Sequence, residues 1–165
     1  MRKIILLFLV SVFVLFLAAC GSETTESKAK VDPKEIENRI SEALKQMGSK
    51  TNLKIISSDK TKDGEYAIAL SDNIHIFIKD NKITLAAMPE ALLTEKDDLD
   101  FAFVLLVGTA DESLSYGDRH KVVSELGLSD DKTNLLEYTK VINYNDVQYT
   151  YKGDKDAILL QAEIK

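Results

Sequence analysis

The chain has 165 residues, with 27 Asp and Glu against 21 Lys and Arg, and a formal net charge of −6. An acidic chain whose lysines are scattered among acids repels polyanions, which argues against a nucleic-acid ligand. With one cysteine and two histidines, it excludes an intrachain disulfide and lacks the ligand spacings of a transition-metal site.

Met1-Arg2-Lys3 is followed by an apolar run from Ile4 to Ala19, broken only by Ser11, and then by Cys20. Cations before an apolar stretch are the layout of an export leader. The sixteen residues of the run fall short of the ~20 that span a bilayer as a helix. At Leu17-Ala18-Ala19-Cys20-Gly21-Ser22 the sequence resembles the lipobox of bacterial lipoproteins. That resemblance covers residues 1–22 only. It implies that residues 1–19 are a signal peptide cut before Cys20, that the Cys20 thiol carries a diacylglyceryl group, and that the new amino group is a further acylation point. The implied location is the outer face of the cell membrane. Two or more acyl chains make a stable anchor, at ~0.8 kcal/mol per buried methylene. Lipid on the sole cysteine removes thiol chemistry, so a cysteine nucleophile is excluded as well.

Residues 20–31 are small and polar, and read as the lipidated cysteine followed by a flexible tether. A linker of that length holds a domain on the order of 20 Å from its anchor. Gly21 after the cysteine and a Lys- and Ile-rich composition resemble lipoproteins of Gram-positive bacteria. Two of the cations leave with the leader, so the mature chain from Cys20 carries a net charge of −8. Residues 32–165 suit a single domain.

Asp32-Pro33-Lys34-Glu35 predicts a helix start, with Asp32 as cap, Pro33 in the first turn and Glu35 closing a capping box. Ile36, Ile40, Leu44 and Met47 then form one apolar stripe, and Gly48 ends the helix. Strands are predicted at 53–57 and at 65–70, where Tyr66, Ile68 and Leu70 share a face. Residues 74–78 and 83–87 flank Asp80-Asn81, a two-residue hairpin turn. That turn sets Ile78 opposite Ile83 and Ile76 opposite Leu85, with His75, Phe77, Thr84 and Ala86 on the other face. Thr94-Glu95-Lys96-Asp97 resembles a second capping box and opens a helix, to about Thr109, that is apolar nearly all round. Another helix runs from Gly117 to Leu126, with Gly127 as its stop. Residues 140–144 and 147–151 flank Asn145-Asp146, which sets Ile142 opposite Tyr149, with Tyr144, Val147 and Tyr151 on that face. A last strand covers 157–164.

Segregated strands and helices joined by tight turns predict an α+β domain. Its antiparallel sheet, or two smaller ones, carries helices on one face, in the order α-β(3–4)-α-α-β(3). The helix-then-strands order occurs twice, which raises an internal duplication.

No catalytic motif appears: there is no nucleophile elbow, phosphate loop or calcium loop, and no cofactor is called for. The acid pairs Asp97-Asp98 and Asp130-Asp131 suit helix starts. His120, between Arg119 and Lys121, reads as a solvated residue. The candidate contact surface is His75 with Phe77, and Tyr144 with Tyr149 and Tyr151; core packing is the competing account of the tyrosines. The leading functional expectation is a non-catalytic binding or adaptor domain, lipid-anchored at Cys20, for an envelope protein or peptide. Small-ligand capture by a sensory or substrate-binding lipoprotein is the alternative, and an envelope hydrolase working through a carboxylate pair is a third.

Overall fold

The computed structural model describes residues 30–130 and 132–165; the leader, Cys20, the tether to residue 29 and Asp131 lie outside the described residues. The strands are β1 (Ser57–Lys60), β2 (Tyr66–Ala69), β3 (Ile74–Lys79), β4 (Lys82–Ala87), β5 (Thr139–Tyr144), β6 (Val147–Gly153) and β7 (Ile158–Ile164). They form one antiparallel sheet in the order β1-β2-β3-β4-β7-β6-β5, so an α+β domain with a single sheet is what the chain builds.

The first hairpin has the register its turn dictates, Ile78 opposite Ile83 and Ile76 opposite Leu85. The last hairpin sets Ile142 opposite Tyr149. In both turns the first residue, Asp80 or Asn145, takes a positive φ, which short polar side chains tolerate. The first strand is shifted from its predicted place. Leu53 is buried, but regular pairing starts only at Ser57. Before it, Lys54 and Ile56 donate backbone bonds to Leu70 and Ala69.

Among the described residues four helices lie on one face: α1 (Pro33–Met47), the single turn α2 (Ala91–Thr94), α3 (Lys96–Ala110) and α4 (Tyr116–Glu125). Asp32 caps α1 by accepting the Lys34 N–H at 2.9 Å. Glu35 closes no capping box; it pairs with Arg39 one turn on. Nor does Thr94 cap α3. It ends α2, its hydroxyl returning to the Glu90 carbonyl, and Glu95 takes the cap position without a capping bond, its carboxylate accepting from the Asn73 side-chain amide instead. In place of a cap, the buried Asp98 accepts the Thr51 hydroxyl at 2.6 Å and the Asn52 N–H at 2.8 Å. That bond set ties the start of α3 to the loop after α1.

Helix α3 is the centre of the core. Every residue from Ala102 to Ala110 is buried, and the helix packs over β4 and β7 with α1 and α4 beside it. Ile68, Ile76, Ile83, Leu85, Leu160 and Tyr151, on the covered face of the sheet, belong to the same buried core. Among the described residues no helix is long and apolar enough to cross a membrane.

One end of the sheet gathers Val31, near the start of the described residues, and Lys165. The Val31 N–H donates to the Asp80 carbonyl at 2.9 Å, and the Lys165 N–H to the Asp146 carbonyl at 2.8 Å. Met88, α2 and the start of α3 stand at the opposite end, because β4 runs away from the Asp80 turn.

Candidate functional site

The predicted contact residues divide between two faces. His75 and Phe77 are neighbours on the uncovered face, with ring centroids 6.4 Å apart, and both are half-buried. Tyr144 is half-buried at the margin of the covered face, opposite Val147. Tyr149 and Tyr151 are 0 % exposed and belong to the core, which corrects their assignment to a contact surface. Tyr151 meets the Phe103 ring of α3 edge-on and donates its hydroxyl to the Leu135 carbonyl at 2.8 Å. The Tyr149 hydroxyl is buried with no hydrogen-bond partner among the described residues. Burial holds the phenols of both tyrosines well above their ordinary range, and Asp111 adds to the effect at Tyr149.

A groove of about 630 Å³ opens on the helical face. Phe101 and Val104 of α3 and Val123 of α4 form its floor. The segment after α4 makes one wall through Leu128, Leu135 and Leu136, and Met47 and Leu92 close the end. The floor and wall exist because α4 stops sharply. Gly127 at φ +77° turns the chain, and the Leu128 N–H returns to the Val123 carbonyl at 3.1 Å. The Leu135–Glu137 turn is then seated over Gly153, where a Cβ would stand 1.6 Å from the Leu135 carbonyl. Only a glycine at 153 lets this wall approach the sheet so closely.

The groove lip is polar. Tyr116 is 60 % exposed and meets the His120 ring edge-on, with centroids 4.5 Å apart. Two carboxylates also line it. Asp100 pairs with Lys96 at 3.1 Å, and Asp130 accepts the Lys132 N–H at 2.9 Å. None of the groove was read from the sequence, apart from the burial of α3. Its one signal is Leu128, Leu135 and Leu136, apolar residues in a segment with no strand or helix period.

Two further polar clusters fasten elements together. Glu37 of α1 accepts the Tyr66 hydroxyl at 2.6 Å, the Lys34 ammonium at 2.9 Å and the Ser58 hydroxyl at 2.7 Å. Those bonds, Tyr66 first, hold its carboxyl down to about 2. At the other end of α3, Arg39 donates to the Thr109 carbonyl and pairs with Glu112, and Arg119 donates to the Leu114 carbonyl while lying against Gly108. Cations at a helix C-terminus meet its exposed carbonyls and favourable dipole. Among the described residues no group of three or more His, Cys, Asp or Glu could hold a metal ion. No family model, curated protein or solved structure matches the chain.

Proposed function

We propose that the protein is a lipid-anchored envelope protein whose domain binds an apolar segment of a partner peptide or protein in the α3–α4 groove. The observation that carries this reading is the groove itself. It combines an aliphatic and aromatic floor with a lip bearing an exposed tyrosine beside a histidine. Apolar floors with a few placed polar groups are the usual make-up of binding clefts, and exposed tyrosines are frequent anchors at their rims. Lys96 offsets Asp100 at the lip, so Asp130, in a chain of net charge −8 after leader removal, is the charge that favours a partner segment with a basic residue beside its apolar ones. Cys20 supplies the location, through the lipobox that precedes the domain.

A photo-crosslinking residue at position 116, in intact cells, tests both halves of the proposal. A defined partner is expected with the anchored chain and is lost when Leu136→Ser is added. Capture that survives Leu136→Ser and appears equally at position 77 removes the groove from consideration. A parallel Cys20→Ala chain separates contacts made by the groove from contacts that need only the membrane location.

Capture of an apolar small ligand is the second reading, favoured by a volume of about 630 Å³, within the range of small-molecule sites. Native mass spectrometry of the purified chain distinguishes it, since a retained small ligand adds a discrete mass. A hydrolase using Asp100 and Asp130 is less well supported, because Lys96 and the Lys132 N–H already engage those carboxylates.

A further inference from the structure

Among the described residues the helices cover only one face of the sheet, and the other face carries an ordered, charge-poor surface. Strand registers fix its rows. One row reads Asp59, Ala67, Phe77, Thr84, Gln161, Thr150 and Val141 from β1 to β5. The next reads Ser57, Ala69, His75, Ala86, Leu159, Lys152 and Thr139. From β2 to β7 these two rows bear no charged acid or lysine, in a chain where charged residues make up 29 %. Charge depletion at the centre of a patch, with charges held at its rim, is the compositional mark of an interface.

We infer that this open face is a self-association surface, on which two copies of the anchored chain pack sheet against sheet.

Three observations select a second copy as the occupant. The first is size. Seven strands at ~4.8 Å spacing and about six residues in length give a planar footprint near ~600 Å². Projecting side chains raise the accessible area toward the ~800 Å² per partner of a standard interface. The second is charge. The fixed charges of the face balance, with Asp59, Glu65 and Glu163 against Lys79, Lys82 and Lys152. The acid excess of the chain therefore lies elsewhere, and a copy does not meet it here. A two-fold axis parallel to the strands along β4 sets β1 of one copy over β5 of the other; it brings Lys79 of β3 toward Glu163 of β7 in the second copy and leaves Lys82 beside its own copy at one end of the axis.

The third observation is the position of the chain end, and it rests on lipid attachment at Cys20. Val31 is pinned at the Asp80 turn. An axis along the strands leaves both tethers at the same end, so both copies can sit on one membrane. Antiparallel pairing of the two β5 edges would send the tethers to opposite ends of the pair. Face-to-face packing also leaves both grooves pointing outward, giving a bivalent receptor.

The test uses the full mature chain in detergent micelles, with sedimentation as the readout. A dimer is expected, converted to monomer by Thr84→Lys. Gln161→Lys serves as a second variant, and circular dichroism checks that each folds. In a Cys20→Ser background, Thr84→Cys, near the axis, should link to itself through a short bis-maleimide. Val141→Cys, on the outer edge, should not. A chain that stays monomeric at every concentration overturns the inference, as does linking through Val141→Cys with none through Thr84→Cys. Maleimide labelling of Cys20 in the wild-type chain taken from cells would show that the anchor is missing, independently of the sedimentation result.

Discussion

Leu85 of β4 and Leu160 of β7 face each other at the middle of the sheet, both fully buried beneath α3. Around them Ile83 lies opposite Ala162 and Ala87 opposite Ile158. The inward residues of both strands therefore spell Ile, Leu, Ala, and the antiparallel junction is self-complementary about that leucine pair. The relation extends outward. Ile76 beside Leu85 has its counterpart in Tyr151 beside Leu160, and Ile74 in Tyr149. This local two-fold gives physical form to the repeated helix-then-strands order. Leu160→Ala is expected to cost about 2–5 kcal/mol, measured by urea unfolding. Combined with Leu85→Ala it should depart from additivity, because both truncations open the same cavity.

The two buried tyrosines should respond oppositely to loss of their hydroxyls. Tyr149→Phe removes a buried group with no partner, so stability should stay level or rise by up to ~1 kcal/mol. Tyr151→Phe breaks the bond to the Leu135 carbonyl and should cost about 1 kcal/mol. Thermal unfolding of the two single variants checks the contrast.

Gly153→Ala should damage the groove from beneath. The new methyl would overlap the Leu135 carbonyl, displacing the turn that carries Leu135 and Leu136. A loss of about 1–3 kcal/mol is expected from overpacking, with partner capture falling alongside it. Retained capture in a folded Gly153→Ala chain would show that this wall takes no part in binding.

Acid should release α1 from the sheet edge. The Glu37 carboxyl has an ordinary value of 4.5 and is held down to about 2 in the folded chain. Its contribution is therefore complete above the ordinary value, declines as the unfolded chain takes up protons below it, and is gone once the pH passes through the folded value. Asp98 acts in the same direction: burial pushes its carboxyl up, but the Thr51 and Asn52 bonds outweigh that and leave it below its usual range. Glu37→Gln should lower stability by about 1–3 kcal/mol near neutrality and flatten the acid side of the stability profile. Lys34 is 69 % exposed, so its share is screened and salt should have a small effect.

Hairpins were legible because a two-residue turn and a period of two fix register together, as Ile78 with Ile83 and Ile142 with Tyr149 show. The period says which residues share a face, but not which face the helices cover. That choice was made by α3 settling over β4 and β7, and it placed Tyr149 and Tyr151 inside. Thr94 misled because its cap pattern ends in the same residues that close the preceding turn, α2. The groove was illegible because its parts come from α3, α4 and the 128–136 segment, and no local pattern encodes their meeting.

The bonds from Val31 to Asp80 and from Lys165 to Asp146 have a mechanical consequence. Under the proposed anchoring and groove binding, a pull between the tether and a partner seated by Leu92 would run from one end of the strands to the other. Ladder bonds loaded in that direction must yield together rather than peel one at a time. With both proposals in place, resistance to such a load would be a property of the strand direction itself.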